Sequence, residues 1–171
     1  LKTKSSILPL SGISNSNTIY CNENGYFSLY QSDRYGFNNP DKEWDETKIE
    51  FLLVGDSNVH GACINRPHDI SSVLRSLSNK PVLNLAYGRN SSLIEYAVLR
   101  EYLQPNVKNI LWFYYEGNDL TELKDELRSK ILFKYIENTK FNQNLKNKQN
   151  IIDEMGFRLI SQKFDAIEKS P

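Results

Sequence analysis

Strand-like and helix-like patterns alternate three times between residues 49 and 137 of this sequence. The apolar runs cover residues 49–54, 81–86 and 109–115, and apolar side chains at helical spacing follow each run. Strands joined by crossover helices lie parallel in one sheet. The chain is therefore predicted to be an α/β protein with a mostly parallel sheet.

The helical patterns are long enough to predict four helices. Their ranges are 69–79, 91–103, 120–137 and 149–164. Pro105 lies just beyond the second range, where it ends the helix because proline cannot continue one. Gly156 is expected to interrupt or bend the last helix.

Residues 1–45 differ in composition from the rest of the chain. They are polar, rich in Ser, Asn and Tyr, and show little periodicity, with turns expected at residues 24–25 and 35–36. We predict an N-terminal extended arm over residues 1–45. This arm is expected to pack on an α/β domain formed by residues 46–171.

The composition argues against several classes of function. The 171 residues suit one domain, and 21 Lys+Arg balance 21 Asp+Glu, so no basic excess predicts nucleic-acid binding. No apolar stretch approaches the ~20 residues of a membrane-spanning helix. His60 and His68 have no ligand-like cluster around them, so neither a metal nor another cofactor is predicted. Cys21 and Cys63 are expected to be unpaired, partly buried thiols.

A short polar turn follows each predicted strand. Because the carboxyl ends of parallel strands meet at one edge of a sheet, these turns are expected to lie together. The turns are Gly55-Asp56-Ser57, Tyr87-Gly88-Arg89-Asn90 and Glu116-Gly117-Asn118-Asp119.

Residues of these types at one edge favour acyl transfer. Ser57 suits two roles, helix N-cap and nucleophile, because it follows a strand and opens a helix. The main-chain N–H of Ser57, an N–H from Gly88 or its neighbour, and the Asn118 amide would supply three donors for an oxyanion. Tyr87 and Glu116 lie near this edge and are candidate sugar-binding residues, although aromatic residues at strand ends also serve as packing.

Roughly residues 48–120 resemble the SGNH hydrolase family, also called GDSL esterases. The match rests on Gly-Asp-Ser at residues 55–57 with Gly61 downstream, a glycine after the second strand, and Asn118-Asp119 in the third block. The resemblance implies a three-layer α/β/α sandwich and a serine nucleophile. It also implies that Asp56 and Asp119 support the site, while Ser57, the second block and Asn118 form the oxyanion hole. The segment SDRYGFNNP and the helix after YYEGNDL look like a bacterial subgroup associated with cell-surface polysaccharides.

The sequence departs from the family pattern at two of the blocks. Glu116 stands where the third block usually begins with glycine. In the second block, counting from Asn84 puts Arg89 at the usual glycine position, whereas residue identity favours Gly88. The donor there is a main-chain N–H, so both residues stay candidates.

The catalytic base is the larger departure. The family carries Asp-x-x-His near its C-terminus, and this chain has no histidine after His68. His60 is too close to Ser57 on the same short helix to reach the attacking face, and His68 is expected at the surface. We therefore expect that the last strand or strands and the base lie beyond residue 171. This chain is then predicted to be inactive or nearly so.

Two classes of function remain. The first is a serine esterase acting on a small-molecule or carbohydrate acyl ester. The alternative is a non-catalytic relative that binds glycan or a partner at the same edge. A metallophosphoesterase is rejected because that chemistry needs several metal-binding histidines. An open sheet edge would favour a homo-oligomer, while bacterial envelope, secreted and cytoplasmic locations all stay open.

Overall fold

The computed structural model of the protein describes residues 7–23, 25–117 and 119–168, with side chains up to residue 165. Asn24 and Asn118 lie outside the described residues. Part of the turn predicted at residues 24–25 therefore also lies outside them. The turn predicted at residues 35–36 is present. Gly36 has φ 84°, and its N–H donates to the Asp33 carbonyl at 3.0 Å.

The described residues form two small sheets. In the arm, β1 (Asn17–Ile19) pairs antiparallel with β2 (Leu29–Gln31). The strands of the parallel sheet are β3 (Ile49–Val54), β4 (Val82–Asn84) and β5 (Val107–Trp112). Their order is β4-β3-β5, and the register places Leu53 opposite Asn84 and Val54 opposite Trp112. The predicted α/β class and parallel pairing are confirmed.

Helices connect these strands and follow the sheet. They are α1 (Ser57–His60), α2 (Ile70–Ser78), α3 (Ser92–Tyr102), α4 (Asp119–Glu126), α5 (Lys130–Glu137) and α6 (Gln149–Glu168), with 3₁₀ turns at Asp41–Asp45 and Leu145–Lys148. The α2 helix shows how local sequence sets the ends. The Asp69 side chain caps it by accepting the Ser72 N–H at 3.0 Å, and Asn79 ends it with φ 50°.

Two helix predictions are wrong in detail. The single helix expected over residues 120–137 is broken between α4 and α5, which lets Glu126 accept the Leu93 N–H at 2.9 Å at the start of α3. Leu132 and Tyr135 of α5 are then free to enter the core. The last helix, expected to be interrupted or bent at Gly156, is not interrupted there and runs continuously from Gln149 to Glu168.

Both faces of β3 are covered by apolar side chains. Leu52 and Val54 belong to a cluster with α3, whereas Leu53 belongs to a second cluster with α1 and α2. A strand buried on both faces explains the nearly continuous apolar run in the sequence. The arm adds three buried apolar side chains to the first cluster: Leu10, Phe37 and Trp44.

A buried polar network joins the arm to the sheet. The Asn39 side chain bonds both main-chain groups of Asn84, donating to the carbonyl at 2.9 Å and accepting the N–H at 2.8 Å. Asn39 also donates to Asp33 at 2.8 Å, and the Trp44 indole N–H donates to the same carboxylate at 2.7 Å. Burial raises the pKa of Asp33, and the Asn39 and Trp44 bonds partly offset this shift. Asn39 thus takes the place of a neighbouring strand residue beside β4.

The cysteines are bonded to each other, so the prediction of unpaired thiols is wrong. A disulfide joins Cys21 and Cys63, whose Cα atoms lie 5.0 Å apart. The two residues are 42 positions apart in the sequence. The bond fastens the arm beside β1 to the loop that follows α1. The sequence offered no spacing motif for this pair, because the fold alone brings the two segments together.

The outer edge of β5 has no strand partner among the described residues. Ile110 and Trp112 on this strand are 43% and 44% exposed. Self-association through an open edge therefore stays a prediction. Across the described ranges, no helix has the length and apolarity that crossing a membrane requires.

The substitution Asn39→Ala should lower the free energy of unfolding by about 2–4 kcal/mol, because it leaves both main-chain groups of Asn84 buried without partners. Urea unfolding followed by circular dichroism would measure the change. Asn150→Ala, at an exposed position on α6, is the matched control. A loss no larger than that of the control would contradict a structural role for the Asn39 bonds.

Candidate active site

The three polar turns leave the parallel sheet at adjoining strand ends. The first two are bonded directly, since the Tyr87 N–H donates to the Gly55 carbonyl at 3.3 Å. Beyond β5, the Phe113 N–H donates to the Val54 carbonyl at 2.9 Å. The chain therefore brings residues 55–57 next to the turn that starts at Tyr87, and the third turn follows the strand on the other side of β3.

Asp56, and not Ser57, caps the one-turn helix α1. The Asp56 carboxylate accepts the Asn58 main-chain N–H at 2.9 Å and the Asn58 side chain at 3.3 Å. The predicted N-cap role of Ser57 is wrong, because Ser57 is already the first helical residue. Ser57 is half-buried, and its hydroxyl makes no hydrogen bond with any described residue. The hydroxyl is thus available for another partner.

Two glycines determine the path of the chain around Ser57. A Cβ at Gly55 would lie 2.7 Å from the Val59 side chain, so the close turn after β3 excludes a larger residue. Gly61 ends α1 with φ 89°, in the left-handed region that favours glycine. The Gly-Asp-Ser turn and its downstream glycine therefore have a steric basis.

His60 is a structural residue and not the base for Ser57. Its Nδ1 accepts the Gly88 N–H at 3.2 Å, and its Nε2 lies 3.0 Å from the Tyr30 hydroxyl. The ring also stacks on Tyr87 with centroids 4.8 Å apart. Because Nδ1 accepts, Nε2 carries the hydrogen and donates to Tyr30. Burial lowers the pKa of His60 to about 4, so the neutral ring has both nitrogens engaged.

The sequence left two candidate main-chain donors in the second turn, Gly88 and Arg89, and the structure separates them. The Gly88 N–H is already bonded to His60. Arg89 has φ 68°, in the left-handed region that favours glycine, and its N–H makes no hydrogen bond with a described residue. Arg89 is therefore the better candidate for the oxyanion donor of this turn.

Asp119 closes the third turn. Its carboxylate accepts the Tyr115 N–H at 2.7 Å, and its own N–H donates to the Tyr115 carbonyl at 3.2 Å. The side chain is fully buried. Asp119 thus bonds both main-chain groups of Tyr115, the residue that precedes the third turn, which suits the predicted supporting role. Asn118, the predicted side-chain donor, lies outside the described residues, so its role stays a prediction.

Glu95 is a buried carboxyl near the site that the sequence did not single out. The Trp112 indole N–H donates to it at 2.6 Å, while its other oxygen and one oxygen of Asp119 are buried without a partner among the described residues. Burial, with the nearby charges of Asp119, Asp56 and Glu126, raises the pKa of Glu95 to about 7. A glutamate at a helical apolar position carries no sequence signal for such a shift.

The two predicted sugar-binding residues differ in their surroundings. Glu116 is exposed. Tyr87 is half-buried and lines a groove of about 500 Å³ between the arm and α6. Apolar side chains form most of this groove, including Ile13, Ile152 and Phe157. The packing role of Tyr87 against His60 is therefore observed, and its contact with a sugar stays a prediction.

The arm contributes Tyr20, which the sequence did not suggest. The Tyr20 ring packs edge-on against His60 at 4.6 Å, and a Cβ at Gly88 would overlap the Tyr20 hydroxyl. The sequence signal for this residue is weak, because it lies in a polar segment without periodicity. Tyr20 precedes Cys21, so only knowledge of the Cys21–Cys63 disulfide would have placed it near the second turn.

No group of three or more His, Cys, Asp or Glu residues in the described ranges is placed to hold a metal ion. Comparisons of the chain with protein-family models, curated proteins and solved structures found no match.

His60 predicts a specific dependence of stability on pH. The folded-state pKa of about 4 lies below the usual 6.5, so the neutral ring stabilises the fold above pH 6.5 and this contribution is lost as the pH falls towards 4. The advantage of the wild type over His60→Gln in free energy of unfolding should shrink by roughly 2–3 kcal/mol over that interval. Urea unfolding at several pH values would measure it, with His68→Gln as the control for one lost histidine. An advantage that is constant with pH would contradict the neutral, buried ring.

Proposed function

We propose that the protein is a serine ester hydrolase of the SGNH, or GDSL, type, with the parallel sheet as the middle layer of an α/β/α sandwich. Ser57 is the nucleophile in this proposal. Two groups carry the proposal, the Ser57 hydroxyl and the Arg89 N–H, which have no hydrogen-bond partner among the described residues and lie on two turns bonded directly to each other. Helix capping alone does not account for this arrangement, because Asp56 already caps α1.

The chemistry follows from these groups. The Ser57 oxygen attacks the ester carbonyl carbon, its proton passes to a base, and the carbonyl electrons move onto the oxygen. The N–H groups of Ser57 and Arg89, with the Asn118 amide, stabilise the resulting oxyanion. Collapse expels the alcohol, which takes the proton from the base. Water then attacks the acyl-serine by the same steps, which releases the carboxylic acid and regenerates Ser57.

The base is not one of this chain's two histidines. His60 has both ring nitrogens engaged, and His68 is exposed on the loop before α2. A serine hydroxyl without a base is a weak nucleophile at neutral pH. The complete reaction therefore needs a base from elsewhere, and this chain by itself is proposed to be inactive or nearly so.

The substrate class we propose is a small-molecule or carbohydrate acyl ester. Tyr114 and Tyr115 follow β5 and are 49% and 53% exposed, which supports a surface on which a sugar ring can stack. Glu116 lies next to them and would accept hydrogen bonds from sugar hydroxyls. The Cys21–Cys63 disulfide supports an oxidising location, such as the cell envelope or the exterior, over the cytoplasm.

A second candidate is binding without catalysis. The engagement of both His60 nitrogens favours it, because His60 then cannot activate Ser57 and His68 is the only other histidine of the sequence. In that case the same edge would bind a glycan or a partner. Ser57 would then contribute a hydroxyl for hydrogen bonding and not a nucleophile.

Imidazole should restore activity that depends on Ser57. The measured quantity is the initial rate of p-nitrophenyl acetate hydrolysis by the wild type minus the rate of Ser57→Ala at the same imidazole concentration. This difference should be near zero without imidazole and should rise as imidazole is added. The subtraction removes hydrolysis by imidazole itself. The Asn118→Ala variant should lose about 10²-fold of the restored rate, because one oxyanion donor is removed.

The two candidate functions give different results in this assay. Equal rates for the wild type and Ser57→Ala at every imidazole concentration would reject the nucleophile and favour binding without catalysis. A strong Ser57-dependent rate without imidazole would show that the chain contains a base other than its histidines.

A further inference from the structure

Tyr20 lies where the arm meets the second turn. Its hydroxyl is packed so closely on Gly88 that a Cβ at that residue would come within 2.9 Å of the tyrosine Cζ. The next main-chain N–H belongs to Arg89 and has no hydrogen-bond partner among the described residues. The Tyr20 hydroxyl is therefore adjacent to the candidate oxyanion site.

The Tyr20 hydroxyl is able to donate a hydrogen bond to a bound molecule. It makes no hydrogen bond with any described residue, although the ring is half-buried. Burial raises the pKa of Tyr20, and the neighbouring Tyr87 and the carboxylate of Asp56 raise it further, while Arg89 opposes the shift. The phenol thus stays protonated at neutral pH and can donate.

The disulfide holds Tyr20 at this position. Cys21, the next residue, is bonded to Cys63 in the loop that follows α1, the helix that begins at Ser57. On the other side, the Tyr20 N–H donates to the Ser28 carbonyl at 3.0 Å, and the Ser28 N–H donates to the Cys21 carbonyl at 2.8 Å. The tyrosine is therefore fixed both to the arm and to the segment that carries the nucleophile.

We propose that Tyr20 is a substrate-contacting residue that donates a hydrogen bond to the developing oxyanion beside the Arg89 N–H, and that the Cys21–Cys63 disulfide positions it. This inference rests on the proposed esterase function. It adds a donor from the arm, outside the three turns, and it makes the activity depend on an oxidised disulfide. Because the bond forms as negative charge develops, it acts on kcat more than on KM.

The test uses the imidazole-restored, Ser57-dependent hydrolysis of p-nitrophenyl acetate. Tyr20→Phe keeps the ring that packs on His60 and removes the hydroxyl, so kcat should fall about 10- to 100-fold with little change in KM. Tyr35→Phe is the matched control, because its ring packs on Trp44 and its hydroxyl makes no hydrogen bond with a described residue. That control should keep the wild-type kcat.

A second set of variants separates positioning from general stability. The paired substitutions Cys21→Ser and Cys63→Ser should lower kcat in the wild-type background. They should cause no further loss in the Tyr20→Phe background, since the disulfide acts through the hydroxyl that is already absent. Circular dichroism at the assay temperature would verify that each variant is folded.

The outcomes distinguish the two proposals. A Ser57-dependent rate that is unchanged in Tyr20→Phe would overturn the role of Tyr20 and leave the esterase proposal standing. Equal losses from the paired cysteine substitutions in both backgrounds would overturn the positioning role of the disulfide. No Ser57-dependent rate at any imidazole concentration would overturn the esterase proposal and the role of Tyr20 with it.

Discussion

The fold depends on buried hydrogen bonds that join the arm to the carboxyl edge of the parallel sheet. Asn39 bonds both main-chain groups of Asn84, and the Asn84 side chain donates to the Val59 carbonyl of α1 at 2.7 Å. His60 continues the network by bonding Tyr30 and the Gly88 N–H. All of these groups except Gly88 are buried, so losing one partner costs more free energy than a single bond contributes. The arm is therefore part of the framework that holds the first two turns.

The same network decides which groups remain free for chemistry. It occupies both nitrogens of His60 and the Gly88 N–H, and Asp56 occupies the cap of α1. The Ser57 hydroxyl and the Arg89 N–H are left without partners among the described residues. His60 lies three residues from the candidate nucleophile but has a structural role. Its buried ring is held neutral and already accepts a main-chain N–H, so it cannot take a further proton from serine.

Much of the fold could be predicted from local patterns. The bounds of β3 match its apolar run, and α2 and α3 begin and end within one residue of their predicted ranges. The break between α4 and α5 could not be predicted, because it depends on Glu126 meeting the start of α3. The continuous α6 helix was missed because glycine costs a helix only about 1 kcal/mol, which other residues can offset.

The sequence by itself determined the parallel α/β class and the placement of polar turns after each strand, because hydrophobic periodicity and glycine stereochemistry act between near neighbours in the chain. It also marked Ser57 and the two candidate residues of the second turn. Only the tertiary structure decided that Gly88 is bonded to His60, that Tyr20 packs on the second turn, and that Cys21 meets Cys63. Those contacts join segments tens of residues apart, and the partner of a buried polar group or a thiol is set by which segments the packed core brings together.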